Sequence, residues 1–172
     1  MERIHTYRVT AWWVAGQNGI TKSDSAPNAI HFTVPPQFGG MEGRWSPEGL
    51  FLSSLASCFT TSFNAVAEYS KFEYVDLEVE VEGTVSKTAT GYRFTGVVIR
   101  PKLKIVDEAD QARAMELLNK TKALCLVSRA LEIPQEFQPH VEANKLAKSD
   151  DCCLSESCEM WTDLGRCRRR PS

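Results

Sequence analysis

The sequence lacks the features that would place the protein in a membrane or on a nucleic acid. Its 172 residues carry 20 Lys and Arg against 22 Asp and Glu, so no strongly charged surface is predicted. The apolar runs stop well short of the ~18 residues that cross a bilayer, and the N-terminal MERIHTYRV has no apolar signal core. We therefore expect a cytoplasmic protein with neither a membrane nor a nucleic-acid partner.

Motifs for nucleotides, metals and serine nucleophiles are also missing. The chain has neither a Gly-x-Gly-x-x-Gly nor a Walker loop. Its three histidines, His5, His31 and His140, lie far apart and do not have the spacing of metal ligands. Ser57 and Ser62 are not in a nucleophile elbow. We expect no metal and no organic cofactor.

The chain does contain a regular succession of strand and helix signals, in the order β-β-α-β-β-α-β. Paired strands of this kind indicate an α+β fold with antiparallel sheet. Asn18-Gly19 is a turn signal, and Pro101 indicates an edge or a bulge in its strand. The predicted strands are 7–16, 29–36, 76–86, 93–106 and 135–143, and the predicted helices are 46–69 and 107–125, with a further helical turn or two in 126–133.

The segment SPEGLFLSSLASCF, residues 46–59, begins the most apolar helix of the chain. Ser46 can supply the N-cap oxygen, Pro47 suits the first helical position, and Glu48 favours the positive end of the helix dipole. Glu48 is either plain first-turn charge or part of a site. The helix should be buried, and it carries a thiol, Cys58.

Cys58 admits two interpretations. Free cysteine is often buried and behaves as a small apolar residue, so Cys58 can simply fill the core. A reactive thiol needs a lowered pKa, whereas burial raises the pKa. The helix dipole acts only within the first turn, and Cys58 lies about three turns in. A reactive Cys58 therefore needs a cation from elsewhere, and Arg suits this role best.

The distance between Glu48 and Cys58 limits how they could cooperate. Ten residues of straight helix separate them, a rise of about 15 Å. If Glu48 takes part in the chemistry of a cysteine, it must act on the partner subunit's thiol, or the helix must begin later. A two-fold symmetric dimer satisfies the first condition.

Two segments together resemble the OsmC/Ohr family, the osmotically inducible protein C and organic hydroperoxide resistance proteins. SPEGLFLSSLASCF is similar to the Asn-Pro-Glu-Glu-Leu…Ala-Cys-Phe helix of the family, with the same Glu-to-Cys interval. KALCLVSRAL, residues 122–131, is similar to its Ala-x-x-Cys-Pro-Val-Ser segment. The resemblance spans about Tyr7 to Val141. It implies an OsmC-like fold in which antiparallel sheets enclose a buried central helix, and an intertwined homodimer with two interfacial sites.

The resemblance also implies the chemistry of a thiol peroxidase for organic hydroperoxides, acting in oxidative stress defence. Cys58 would be the peroxidatic cysteine, Cys125 the resolving cysteine, and Glu48 the carboxylate that positions an activating Arg. A dithiol reductant of the lipoyl or thioredoxin type would reopen the disulfide. Only the cysteine sulfurs would change oxidation state, so the reaction would need no cofactor. Leu50, Phe51, Leu55 and Phe59 would help to form an apolar pocket.

The activating cation is the main departure from the family pattern. In the peroxidases this Arg lies in the N-terminal strands or their loop, but 9–43 contains no Arg, only Lys22. Arg44, immediately before the helix, is the nearest substitute, and it is equally an ordinary solvated loop residue. Lys22 offers a charge without the bidentate fork. The candidate site is therefore Cys58, Cys125, Glu48 and Arg44.

Two smaller departures concern the helices. Leu126 replaces the usual proline after Cys125, so we expect more helical backbone and a less mobile thiol there. Gly49 replaces the second acidic residue of the family helix and should mainly affect its start. Taken alone, Cys125 is also consistent with a core thiol on the second helix.

The last part of the chain falls outside the resemblance. We divide the sequence into an OsmC-like domain, 1–143, and a cysteine-rich tail, 144–172, expected to be poorly ordered or accessory. The tail has the spacing C-C-x4-C-x8-C, which is a poor match to zinc sites. Two further functions stay open: an OsmC-like protein without peroxidase activity that binds an apolar ligand or senses redox state at the same pocket, and an interaction or redox-sensing protein that uses its tail.

Overall fold

The computed structural model describes residues 4–143. The predicted cysteine-rich tail, with four of the six cysteines of the chain, lies outside the described residues. Within the described part, seven strands and three α-helices form two sheets and a helical layer. The strands are β1 (Val9–Ala15), β2 (Asn18–Ser23), β3 (Ile30–Thr33), β4 (Tyr74–Thr88), β5 (Gly91–Ile105), β6 (Gln135–Phe137) and β7 (His140–Ala143), and the helices are α1 (Pro47–Tyr69), α2 (Gln111–Leu124) and α3 (Leu126–Arg129).

The first sheet has three antiparallel strands in the order β1-β2-β3. The predicted strands 7–16 and 29–36 correspond to β1 and β3, and the prediction missed β2 between them. Asn18-Gly19 begins β2 instead of forming the turn. The chain reverses at Gly16, whose φ of 55° is left-handed and suits glycine. The tandem Trp12 and Trp13 pair with Ile20 and Gly19 across the sheet.

The second sheet is built on the long antiparallel hairpin of β4 and β5, as the alternating pattern predicted. The predicted last strand is two short ones, β6 and β7, and both run parallel to β5. The sheet is therefore mixed, and β5 is an inner strand. Pro101 lies where β5 changes partner, after the pairing of Ile99 with β6 and before that of Lys102 with β7. A proline is tolerated there because β5 has no ladder partner in β6 or β7 at that position.

The core lies between the second sheet and the helices. Helix α1 buries one stripe, including Leu55, Phe59 and Phe63, against β4 and α2, at the spacing expected of an amphipathic helix. Gly83 on β4 leaves room for the Leu52 side chain, since a Cβ there would lie 2.8 Å from it. By length and composition alone α1 would also be apolar enough to cross a membrane.

The first sheet packs only sparsely against the rest of the described chain. Every residue of β1 is exposed, and the exposed fraction of the Trp13 side chain reaches 75%. Val9, Trp12 and Val14 are exposed beside it. The apolar side chains of β1 therefore form an exposed apolar surface within residues 4–143.

Candidate active site: two thiols between α1 and α3

The start of α1 follows the local sequence signals. The Ser46 hydroxyl accepts a hydrogen bond from the Gly49 N–H at 3.0 Å, Pro47 opens the helix, and Glu48 lies in its first turn. The predicted cap is therefore confirmed. From this fixed start the helix carries Cys58, partly exposed, on the flank of the buried stripe.

Cys125 lies at a break between two helices. Its N–H still donates to the Thr121 carbonyl at 2.8 Å, but its own backbone is extended, with φ −59° and ψ 112°. The expectation of a more helical backbone here was wrong, because α2 ends at Leu124 although Leu126 has replaced the proline. The Cys125 side chain is fully buried.

The break brings the two thiols together. After Cys125 the chain turns into α3, and the Val127 N–H donates to the Cys58 Sγ at 3.5 Å. Partial burial works to raise the pKa of Cys58, but the hydrogen bonds of the Val127 N–H, the Cys125 thiol, the Ser62 hydroxyl and the Leu126 N–H outweigh it and lower the pKa. Donors aimed at a sulfur favour its thiolate form.

The pKa of Cys125 shifts in the opposite direction. Burial raises it, and the Ser128 N–H offsets this only in part, while the hydrogen bond and the charge of Cys58 raise it further. The pair is therefore asymmetric, with one partly exposed sulfur of lowered pKa and one buried sulfur of raised pKa. Such a pair suits a first nucleophile followed by a second thiol.

A part-buried lysine near Cys125 was missed by the sequence interpretation. The Lys122 ammonium donates to the Ser128 hydroxyl and to the Gln135 amide oxygen. Desolvation lowers the pKa of Lys122, and the charge of Cys125 acts to raise it. The available signal was spacing, since Lys122 precedes Cys125 by three residues and so shares its side of α2.

The other predicted site residues lie elsewhere in the chain. Glu48 is partly buried at the first turn of α1, about 15 Å of helical rise from Cys58, and its Oε2 is shielded without a hydrogen-bond partner among the described residues. Arg44 is exposed and lines a cavity of about 170 Å³ beside His31 of the first sheet. Lys22 is exposed on β2. Within residues 4–143, neither cation is among the groups that shift the pKa of Cys58.

A shallow apolar cavity of about 410 Å³ begins at Ser62, about one helical turn after Cys58, and Lys120 also lines it. Its lining includes Ser62, which hydrogen-bonds to Cys58, and it extends between α1 and α2 along Val66, Tyr69 and Leu124. The predicted pocket residues are placed differently. Leu55 and Phe59 are fully buried in the core and do not line this cavity, and Phe51 stacks on Phe94 with ring centroids 4.7 Å apart.

The comparisons with known proteins identify the family. Residues 40–139 match the model of the family described as OsmC-like protein. This match covers more than half of the chain, and the chain therefore belongs to the OsmC-like family. The resemblance inferred from the two cysteine segments is confirmed.

Individual relatives differ in what their names say about function. YmaD of Bacillus subtilis strain 168, named as uncharacterized, is 26% identical over 137 residues, which cover 78% of this chain and 91% of the relative. An OsmC-like protein of unknown function from Vibrio cholerae, VCA0330, superposes with a TM-score of 0.71 at 15% identity, covering 79% of this chain and 99% of that chain. The organic hydroperoxide resistance protein OhrB of B. subtilis gives a TM-score of 0.59 at 25% identity, covering 80% and 98%.

Proposed function

We propose that the protein is a thiol-dependent peroxidase that reduces organic hydroperoxides, with Cys58 as the peroxidatic and Cys125 as the resolving cysteine. The observation that carries the proposal is the contact between the two thiols, with opposite pKa shifts, where α1 meets α3. A filler cysteine needs neither the Val127 N–H aimed at its sulfur nor a second thiol beside it. The name of OhrB is consistent with the same chemistry.

The proposed cycle uses sulfur alone. The Cys58 thiolate attacks the terminal oxygen of the hydroperoxide, the O–O bond breaks, and Cys58 becomes a sulfenic acid. The leaving alkoxide takes up a proton to form the alcohol. The Cys125 thiolate then attacks the Cys58 sulfur and hydroxide leaves, taking up a proton to form water. A dithiol reductant of the lipoyl or thioredoxin type supplies two electrons and two protons to reopen the disulfide. The protein would do this in the cytoplasm, where thiols are kept reduced.

The cavity near Cys58 supports an organic rather than an inorganic peroxide. It is apolar and open to solvent, and it begins at Ser62, which itself hydrogen-bonds to Cys58. A peroxide with an alkyl chain would lay that chain along the cavity and place its O–O bond at the sulfur. Burying the chain contributes about 0.8 kcal/mol for each CH₂ removed from water, a gain that hydrogen peroxide cannot make.

The proposal includes a homodimer in which Glu48 serves the site of the partner subunit. The support is the shielded Glu48 Oε2, which has no hydrogen-bond partner in residues 4–143, together with the exposed apolar strand β1. An unpartnered buried carboxylate oxygen is costly, so a donor from a second copy is expected. In the intertwined dimer, the second subunit would also bring a cation to Cys58, where residues 4–143 of the same subunit place none.

A second function is favoured by one observation, the lack of a guanidinium at Cys58 within the described residues. Without an activating cation, the same pocket and thiols would serve an OsmC-like protein that binds an apolar ligand or senses redox state without turning over peroxide. In that case the thiol pair would oxidise slowly, and the cavity would still bind an apolar compound.

The test is stoichiometric. The reduced full-length protein is mixed with one equivalent of cumene hydroperoxide, and thiols and disulfides are mapped by mass spectrometry. Consumption of the peroxide with formation of a Cys58–Cys125 disulfide is the expected result, and Cys58→Ser should abolish both. An unchanged thiol titre at excess peroxide would overturn the peroxidase and favour the binding protein. Arg44→Ala run in parallel tests the proposed activator, and an unaltered rate would remove Arg44 from the site.

A further inference from the structure

We propose that Lys122 is the cation that stabilises the Cys125 thiolate when it forms, so that the buried resolving cysteine is able to react. The consequence for turnover rests on the proposed function, but the electrostatic pairing of Lys122 with Cys125 does not. The need for such a partner follows from burial. A thiol in apolar surroundings resists ionisation, and Cys125 has no exposed surface.

The position of Lys122 fits this role. It lies three residues before Cys125, and the Cys125 N–H still closes the last turn of α2 on Thr121. Residues at this spacing are neighbours on one side of a helix. Both residues also contact Ser128, whose hydroxyl accepts from the Lys122 ammonium and whose N–H acts on the Cys125 sulfur.

The polar partners of Lys122 leave its charge uncompensated. Ser128 and Gln135 are neutral, and among residues 4–143 no carboxylate lies within ion-pair distance of the ammonium. An ammonium has three N–H donors, and these two contacts use two of them. A part-buried lysine with neutral partners is costly to maintain, and a thiolate on the same side of the helix is the anion that would offset this cost.

The cluster around Lys122 is fixed in place. The Ser128 hydroxyl donates to the Gln135 amide oxygen at 2.5 Å, and the Gln135 amide nitrogen donates to the Ser128 and Leu131 carbonyls at 2.8 and 3.2 Å. Gln135 begins β6, so the sheet itself anchors the cluster. Among the titratable groups, Cys58 from α1 acts on Cys125, and the charge of Cys125 acts in turn on Lys122 from α2.

In the proposed cycle Lys122 would act twice. It would favour the Cys125 thiolate that attacks the Cys58 sulfenic acid, and it would stabilise the same thiolate when the reductant reopens the disulfide. The incoming dithiol would attack the Cys58 sulfur, because Cys58 is partly exposed and Cys125 is buried. Cys125 is then the leaving group, and a leaving thiolate departs faster when its charge is stabilised.

The test measures the ionisation of Cys125 directly. The ultraviolet absorbance of the Cys125 thiolate is followed against pH, as the difference between full-length Cys58→Ser and full-length Cys58→Ser with Cys125→Ser. Adding Lys122→Met should move the midpoint upward by about 1 pH unit, a tenfold loss of thiolate below it. Lys122→Arg should keep the midpoint, and so should Lys104→Met on the exposed face of β5. An unchanged midpoint in Lys122→Met would overturn the proposal, and Lys122→Gln replaces that variant if it does not fold.

A second measurement separates this inference from the proposed function. In chains with intact Cys58, Lys122→Met should lengthen the lifetime of the Cys58 sulfenic acid about tenfold, the factor that corresponds to that midpoint shift, while its rate of formation stays the same. If peroxide never produces a sulfenic acid at Cys58, the peroxidase proposal fails. The midpoint in Cys58→Ser still decides the role of Lys122 in that case.

Discussion

The Val127 N–H donates to the Cys58 sulfur at 3.5 Å, which joins α3 to α1 across 69 residues of sequence. This contact depends on the helix break at Cys125, because only a non-helical residue there turns the N–H groups that follow it toward Cys58. The same break buries Cys125 beside the sulfur it is proposed to resolve. The reactivity of Cys58 is therefore set by the backbone after Cys125 as much as by α1.

Leu126→Pro should fold and should change the ionisation of Cys58. Cys125 already has the extended backbone that a following proline requires, and Leu126 opens α3, where proline is favoured. The Leu126 side chain is 68% exposed, so little burial is lost. The gain of about 0.4–1 kcal/mol from the restricted unfolded state is offset by the lost contact of the Leu126 N–H with the Cys58 sulfur, so we expect little change in stability, measured by urea denaturation.

The same variant removes the Leu126 N–H, one of the donors that lower the pKa of Cys58. The pH midpoint of Cys58 alkylation should consequently move upward. Leu124→Pro provides the contrast, because it places proline inside α2 and should destabilise the protein by about 3 kcal/mol or more. A strongly destabilised Leu126→Pro would contradict the conformation described for Cys125.

Cys58 should titrate at a lower pH than an ordinary cysteine, and Cys125 should titrate at a higher pH. The pKa of Cys58 is lowered by its hydrogen-bond donors and that of Cys125 is raised by burial. The Cys58 thiolate should form at a lower pH than that of free cysteine, and the Cys125 thiolate at a higher pH. Peptide-resolved alkylation of the reduced full-length protein measures the Cys58 midpoint, and the difference in thiolate absorbance between the parent and Cys125→Ser measures the Cys125 midpoint. Equal midpoints would remove the asymmetry on which the assignment of roles depends.

Phe59→Ala should destabilise the fold far more than a change at the residue before Cys58. The Phe59 ring is fully buried and lies 5.8 Å from the Phe137 ring, so its loss leaves a cavity that costs about 3–5 kcal/mol. Ser57 is exposed on α1, and Ser57→Ala should change stability by less than about 0.5 kcal/mol. Urea denaturation compares the two variants. A small effect at Phe59 would mean that α1 does not form the core.

The features that the sequence predicted correctly are local. Ser46, Pro47 and Glu48 determine the start of α1 through contacts within one turn, and the alternation in 76–86 identifies β4 without reference to its partner. The pairing of Cys58 with Cys125 came from the family resemblance, because no local rule joins residues so far apart.

The errors arose where tertiary context decides the structure. Asn18-Gly19 has the composition of a turn, but the chain turns at Gly16 and uses Gly19 opposite Trp13, where a Cβ would lie 2.4 Å from the Phe32 ring. The role proposed for Lys122 depends on Gln135 of β6, which the sequence places in a separate element. The role of Arg44 stays a prediction, because α1 carries Cys58 about three turns away from this residue within one chain.

The distance of Glu48 from Cys58 within one chain predicts that two inactive variants complement each other in a mixed dimer. Glu48→Gln and Cys58→Ser chains, co-expressed with different tags and purified as the mixed dimer, should recover about half of the parent peroxidase activity. In the mixed dimer one site carries both changes and the other carries neither, provided that Glu48 acts on the partner subunit's thiol. If Glu48 acted within its own chain, each site would carry one change and the mixed dimer would be as inactive as either homodimer. Cys58→Ser with Cys125→Ser is the matched control, because these two thiols meet within one chain and cannot complement. A fully active Glu48→Gln homodimer would instead show that this carboxylate only favours the start of α1.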